Sequence, residues 1–201
     1  MEKTEILLEP EKLTELQHQV FEIAKAHGWH ENPISKEQYL GLIMTEISEA
    51  IEADRNGRRA NSDEFKKLLG PNNETSLQLA PSVYRSNFEA LYKNYIKGSI
   101  EEEFADVVIR ILDMAQEVHG KKMIWGGSYP YGAVYREKTS FIENAWFFIR
   151  EVLNCGTMNI SDSVSFMFDW AQNLGIDLWQ HIEWKMKYNE LRPYKHGGKK
   201  Y

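Results

Sequence analysis

Cysteine is almost missing: the 201-residue sequence holds only Cys155, which excludes an internal disulfide, and with no identifiable base beside it Cys155 reads as structural. No apolar run approaches membrane-spanning length, so a transmembrane helix is excluded. The start Met1-Glu2-Lys3-Thr4-Glu5 is acidic, without the apolar core of a signal peptide behind it, and a cytoplasmic protein with no membrane partner is expected. There is no Gly-x-x-x-x-Gly-Lys-Ser/Thr loop, which removes the P-loop route to nucleotides, and no His-Asp dipeptide to support a histidine-rich metal phosphohydrolase. Glu15-x-x-His18 would suit one half of a di-iron carboxylate bundle, but no second copy exists, and His18 reads as an ordinary helix residue. A surplus of positive charge is missing too: the formal net charge of −6 argues against a nucleic-acid polymer as partner. The exception is local, since residues 183 to 201 carry six Lys or Arg against two Glu.

What is present is helical periodicity. With 42% hydrophobic and 27% charged residues the chain reads as one globular domain, 1–201, ending in a basic tail over 193–201. Strand signals are scarce, and the apolar repeat predicts helices at about 11–27, 36–56, 85–97, 99–119, 138–154, 160–174 and 177–191. An all-α bundle follows. Ser35 with Gln38 and Ser99 with Glu102 have the spacing of capping boxes, the second opening a helix just before Glu103. Asp113-Met-Ala-Gln-Glu-Val-His-Gly120 is echoed 56 residues later by Asp169-Trp-Ala-Gln-Asn-Leu-Gly175, which would set Asn159 opposite Glu103 and Asp162 opposite Asp106. A duplicated helix pair with one degenerate half and a chance likeness between amphipathic helices both account for that echo.

Two acidic pairs carry the chemistry. Glu46 and Glu49, and Glu103 and Asp106, are each spaced i, i+3 within apolar runs, so each pair leaves one helix face beside the buried stripe. Four such carboxylates gathered in a bundle repel one another, and a hard dication such as Mg2+ removes the repulsion with the oxygen ligands it prefers. Two solvated helix faces are the plain alternative. Glu52, Asp54, Glu101, Glu102 and Asp113 are expected at the surface or as caps, Glu102 being the one most easily confused with a ligand.

Glu46-x-x-Glu49 followed by Glu103-Phe-Ala-Asp106-Val-Val-Ile-Arg-Ile-Leu-Asp113 resembles the acidic signature of the MazG-like all-α nucleoside triphosphate pyrophosphohydrolases, relatives of dimeric dUTPases and dCTP pyrophosphatases. The likeness continues in His27-Gly-Trp29, in Gly175-Ile-Asp-Leu, in Lys185-x-x-x-Asn189-x-x-Arg192-Pro and in His196-Gly-Gly-Lys, touching about half the chain. Two stretches depart from it. The 53 residues between Glu49 and Glu103 exceed the spacing of compact members, and about fifty more separate the Asp106 helix from Gly175, so 58–98 and 121–160 read as helical insertions. The first does not threaten the site, because loop closure costs only logarithmically in length. Helices 138–154 and 160–174 could supply packing that smaller relatives obtain from a second subunit, which leaves a homodimer open.

The resemblance implies Mg2+-dependent hydrolysis of a ribo- or deoxynucleoside triphosphate to monophosphate and pyrophosphate, with Mn2+ as an alternative metal. Glu46, Glu49, Glu103 and Asp106 would be the metal-binding and catalytic residues, Glu46 orienting or deprotonating the water. Lys185, Asn189 and Arg192, at i, i+4 and i+7 on one helix face, would meet the phosphates, although cations near a helix C-terminus also complement its dipole. Trp29 would stack on the base or, equally, pack in the core. Lys195, Lys199 and Lys200 are read as a mobile solubilising end. A non-catalytic nucleotide-binding or regulatory helical domain is the alternative of a different class.

Overall fold

The computed structural model describes residues 9–70, 81–120, 125, 139–153 and 160–198, and no strand occurs among them. In chain order the helices are α1 (Pro10–Ala26), α2 (Lys36–Arg55), α3 (Ser62–Leu69), α4 (Pro81–Tyr95), α5 (Ile100–His119), α6 (Phe141–Leu153), α7 (Ile160–Asn173) and α8 (Leu178–Leu191), followed by a tight turn at Lys195–Gly198. The expected all-α bundle forms, with three departures: the helix predicted from 138 starts at Phe141, and two more lie earlier in the chain. Helix α3 falls where no helix is expected, and α4 starts four residues before the predicted 85. No described helix is long and apolar enough to cross a membrane.

Helix starts follow local chemistry. Ser35 and Gln38 form the reciprocal capping box that opens α2, each side chain satisfying a backbone N–H of the other. Ser99 likewise accepts the Glu102 N–H at 3.2 Å, but only half of that box closes. The Glu102 carboxylate turns instead to the Gly98 N–H and to Lys185, and this diversion shapes the site described below.

Helix α5 is the axis of the bundle, contacting α1, α2, α7 and α8. Its Phe104, Val107, Val108, Ile111, Leu112 and Ala115 are buried, each large aliphatic or aromatic side chain contributing about 1.5–3 kcal/mol. Phe104 meets Trp170 of α7 at 4.6 Å between ring centroids. Helix α6 packs on α2 and α7 on α5, so the α2–α5 pair is flanked within the chain. The stretch 58–98 adds a second, aromatic cluster in which Phe65 of α3 and Phe88 and Tyr92 of α4 pack against Trp184 and Tyr188 of α8. That cluster buttresses α8 from the side opposite the bundle core. Most of 121–160 outside α6, including Cys155 and Asn159, lies outside the described residues.

Candidate functional site

Side-by-side packing of α2 and α5 brings Glu46, Glu103 and Asp106 together: one oxygen from each lies within 4.8 Å of the others, with Glu46 and Glu103 buried and Asp106 partly so. They form part of the wall of a cavity of about 430 Å³, a size suited to a small-molecule ligand. Glu49 lines the same cavity but is exposed and stands outside the three-carboxylate cluster. Three of the four expected acids therefore converge, and the fourth stands at their margin.

The electrostatics of the cluster are those of crowded, buried acids. Burial, then the charges of Asp106, Glu102 and Glu49, push the Glu103 carboxyl up to about 9 against the pull of Lys185. Glu46 is raised as well, first by burial and then by Asp106, although Arg110 sits 3.1 Å away and pulls the other way. Cations answer part of the charge. Lys185 Nζ lies 2.6 Å from Glu102 Oε1 and 2.5 Å from Asp106 Oδ2, and although burial alone would depress its pKa, Asp106 and Glu102 raise it on balance. The donor set is all oxygen and strongly anionic, and it holds protons where a hard cation could stand. These residues could hold a hard divalent cation.

Lys185, Asn189 and Arg192 all line the cavity, as one face of α8 should, and so does Trp29. The Lys185 ammonium is occupied by two carboxylates. Asn189 keeps a buried carboxamide oxygen with no hydrogen-bond partner among the described groups. Rotated by 180°, the same carboxamide would offer its NH2 to a phosphate oxygen. Arg192 ends α8, its guanidinium 5.9 Å from the Tyr188 ring.

Several expectations require correction. Glu52 and Asp54 are exposed as expected, but Glu101, Glu102 and Asp113 are buried. Glu101 accepts from the Ala60 N–H at 2.9 Å and pairs with Arg59. Asp113 lies 2.9 Å from His30 Nε2, with Glu117 3.6 Å from the other ring nitrogen. Burial alone would lower the His30 pKa, but the Asp113 hydrogen bond and the two carboxylate charges raise it, and the pair fixes the loop after α1 to α5. Lys195 belongs to no mobile end: it is docked on Glu31 at 2.8 Å, while Lys199 and Lys200 lie outside the described residues.

Sequence reasoning missed His30 and, although both lie in stretches that carry the resemblance, gave no individual role to Arg110 and His196. Arg110 was in view, seven residues after Glu103, and the i, i+3, i+4 rhythm of Glu103, Asp106, Arg110 and Asp113 already marks one continuous polar stripe along α5. The partners of the buried acids had no such signal, because they lie 41 to 83 residues away along the chain. Comparison with protein-family models, with curated proteins and with solved structures returned no match.

Proposed function

We propose that this protein is a Mg2+-dependent nucleoside triphosphate pyrophosphohydrolase. One observation carries the reading: buried carboxylates from two helices converge on one wall of a ligand-sized cavity whose facing helix presents Lys185, Asn189 and Arg192. Metal held by Glu46, Glu103 and Asp106 would neutralise phosphate oxygens and polarise the α-phosphorus toward water. Arg192 would grip the triphosphate through its planar fork, and Asn189 would give its carboxamide a hydrogen bond it otherwise lacks. Glu49 suits the base role better than Glu46. Glu46 is held by Arg110 inside the cluster, whereas Glu49 lines the cavity outside it and is free to take the proton of the attacking water. The water oxygen bonds to the α-phosphorus, the α–β bridge breaks, and pyrophosphate leaves.

A non-catalytic nucleotide-binding domain is the second reading, and Lys185 favours it. An internal ammonium bridging Glu102 and Asp106 neutralises part of the acidic charge with no metal at all. Screening the common ribo- and deoxynucleoside triphosphates with Mg2+ and detecting pyrophosphate separates the two readings. The pyrophosphohydrolase reading expects monophosphate and pyrophosphate, with label from 18O-water on the monophosphate. Label in orthophosphate with accumulating diphosphate would assign a different phosphohydrolase, and nucleotide binding without turnover would assign the binding domain.

A further inference from the structure

We propose that the C-terminal segment 193–198 is a nucleoside-recognition element, in which His196 joins Trp29 in contacting the nucleoside end of a nucleotide whose phosphates face the carboxylates and Arg192. The proposal rests on the reading of the cavity as a nucleotide site and adds to it a residue and a role for the tail.

Four tethers hold the segment on the loop after α1. The Arg192 carbonyl lies 3.0 Å from His27 Nε2, the Lys195 N–H donates to the His27 carbonyl at 3.0 Å, the Lys195 ammonium meets Glu31 at 2.8 Å, and the Tyr194 hydroxyl donates to that same carboxylate. Gly28 permits this docking. It has φ of 81°, and a Cβ there would lie 2.3 Å from the Tyr194 ring, so only glycine lets the tyrosine settle over the backbone. The turn itself is unfavourable, since Lys195 and His196 both adopt positive φ, 44° and 49°. Side-chain-bearing residues keep that conformation only where their surroundings over-determine it, and such places cluster at ligand clamps.

The result of the strained turn is the position of one ring. His196 lines the cavity with its imidazole edge-on to Trp29 at 5.2 Å between centroids, and 6.0 Å from His27. Among its lining residues Lys185 is bound to the carboxylates, Arg192 caps the C-terminal end of α8 about 10 Å further on at 1.5 Å per residue, and the tail then turns His196 onto Trp29. A nucleotide has phosphates at one end and a flat ring at the other. The Lys195 ammonium is committed to Glu31, so the tail's contribution at this end is an aromatic ring.

The test is calorimetric titration of the four 2′-deoxynucleoside 5′-monophosphates and of pyrophosphate, each with Mg2+, into the full chain, His196→Ala and a chain lacking residues 194–201. The best-bound monophosphate should weaken about fivefold to a hundredfold in both variants, the range typical of losing an aromatic contact to a base. Pyrophosphate should stay within about twofold. Unchanged monophosphate affinity overturns the proposal, and so does an equal loss for monophosphate and pyrophosphate, which would make the tail a brace of the fold. If the full chain binds pyrophosphate but no monophosphate, this proposal alone fails. If it binds neither, the nucleotide reading fails with it.

Discussion

Glu103, buried among Asp106, Glu102 and Glu49, keeps its proton up to about pH 9 in the absence of a cation. Its folded-state value lies above the unfolded one, so its contribution to stability is complete below the ordinary carboxyl range and is lost as pH rises toward 9. Glu103→Gln mimics the protonated form. Without metal it should melt no lower than wild type at pH 7 and higher at pH 9, while losing Mg2+ binding and turnover; a variant that melts lower at pH 9 would refute the repulsion argument. Glu49→Gln tests the base instead. Because Glu49 is exposed and its charge only adds to the repulsion on Glu103 and Glu46, melting should not fall, while kcat should drop about 10²- to 10⁴-fold, more than any change in KM explains. Full turnover in Glu49→Gln returns the base role to Glu46. Arg192→Ala should lower kcat/KM by the loss of charge-assisted hydrogen bonds worth about 1.5–3 kcal/mol, and Arg192→Lys should recover only part, since an ammonium lacks the fork. An Arg192→Ala variant with intact kcat/KM and a lower melting temperature would make the residue a helix-end stabiliser.

At the scale of elements, legibility followed the length of the apolar repeat. Helices α1, α2 and α5 were readable because each turns a long stripe to the core, α8 because it buries residues on two faces, and the i, i+3 acids were readable because they lie on or beside those stripes. Helix α3 was not, since in eight residues only Phe65 is buried and no repeat can develop. Its charges could have shown it: Asn61 caps it, Asp63 and Glu64 fill the first turn, and Lys66 and Lys67 the last, as the helix dipole prefers. The half-closed cap of α5 was unreadable for another reason. Glu102 has the capping spacing, yet its carboxylate is drawn to Lys185, 83 residues away on α8. This link makes a prediction about how α5 and α8 hold together. Lys185→Met leaves the buried Glu102 and the partly buried Asp106 without their cation and should destabilise the metal-free protein by about 3–5 kcal/mol, as breaking one side of a buried pair does. Adding Glu102→Gln to Lys185→Met should recover part of that loss. Denaturant unfolding of both variants measures it, and a Lys185→Met protein as stable as wild type would show that the pair carries no net stabilisation.

For the molecule as a whole, the local pattern predicted which helices form and which faces they bury, but which charges meet is decided by packing between distant segments. Arg59 with Glu101, His30 with Asp113, and Glu31 with Lys195 all join segments far apart in the sequence, and none has a signature in local spacing. The same reasoning explains the docked tail: a basic C-terminus reads as solvated until the acid that receives it is placed beside it. Cation binding should couple to this global structure, because the cluster exists only when α2 and α5 are packed. At a Mg2+ concentration a hundred times its Kd, the native state gains about 2.7 kcal/mol by mass action. For a chain of this size that corresponds to a rise in Tm of about 5–11 °C, at roughly 2–4 °C per kcal/mol. The effect must depend on pH, since a cation entering the cluster displaces the proton that Glu103 retains up to about 9. Mg2+ affinity should climb by up to about tenfold per pH unit between pH 6.5 and 8.5 for each proton displaced, and the thermal shift at fixed Mg2+ should grow with it. Glu103→Gln and Asp106→Asn should abolish the shift at both pH values. A shift that is absent in wild type, or one that both variants keep, would mean that these carboxylates do not bind the cation.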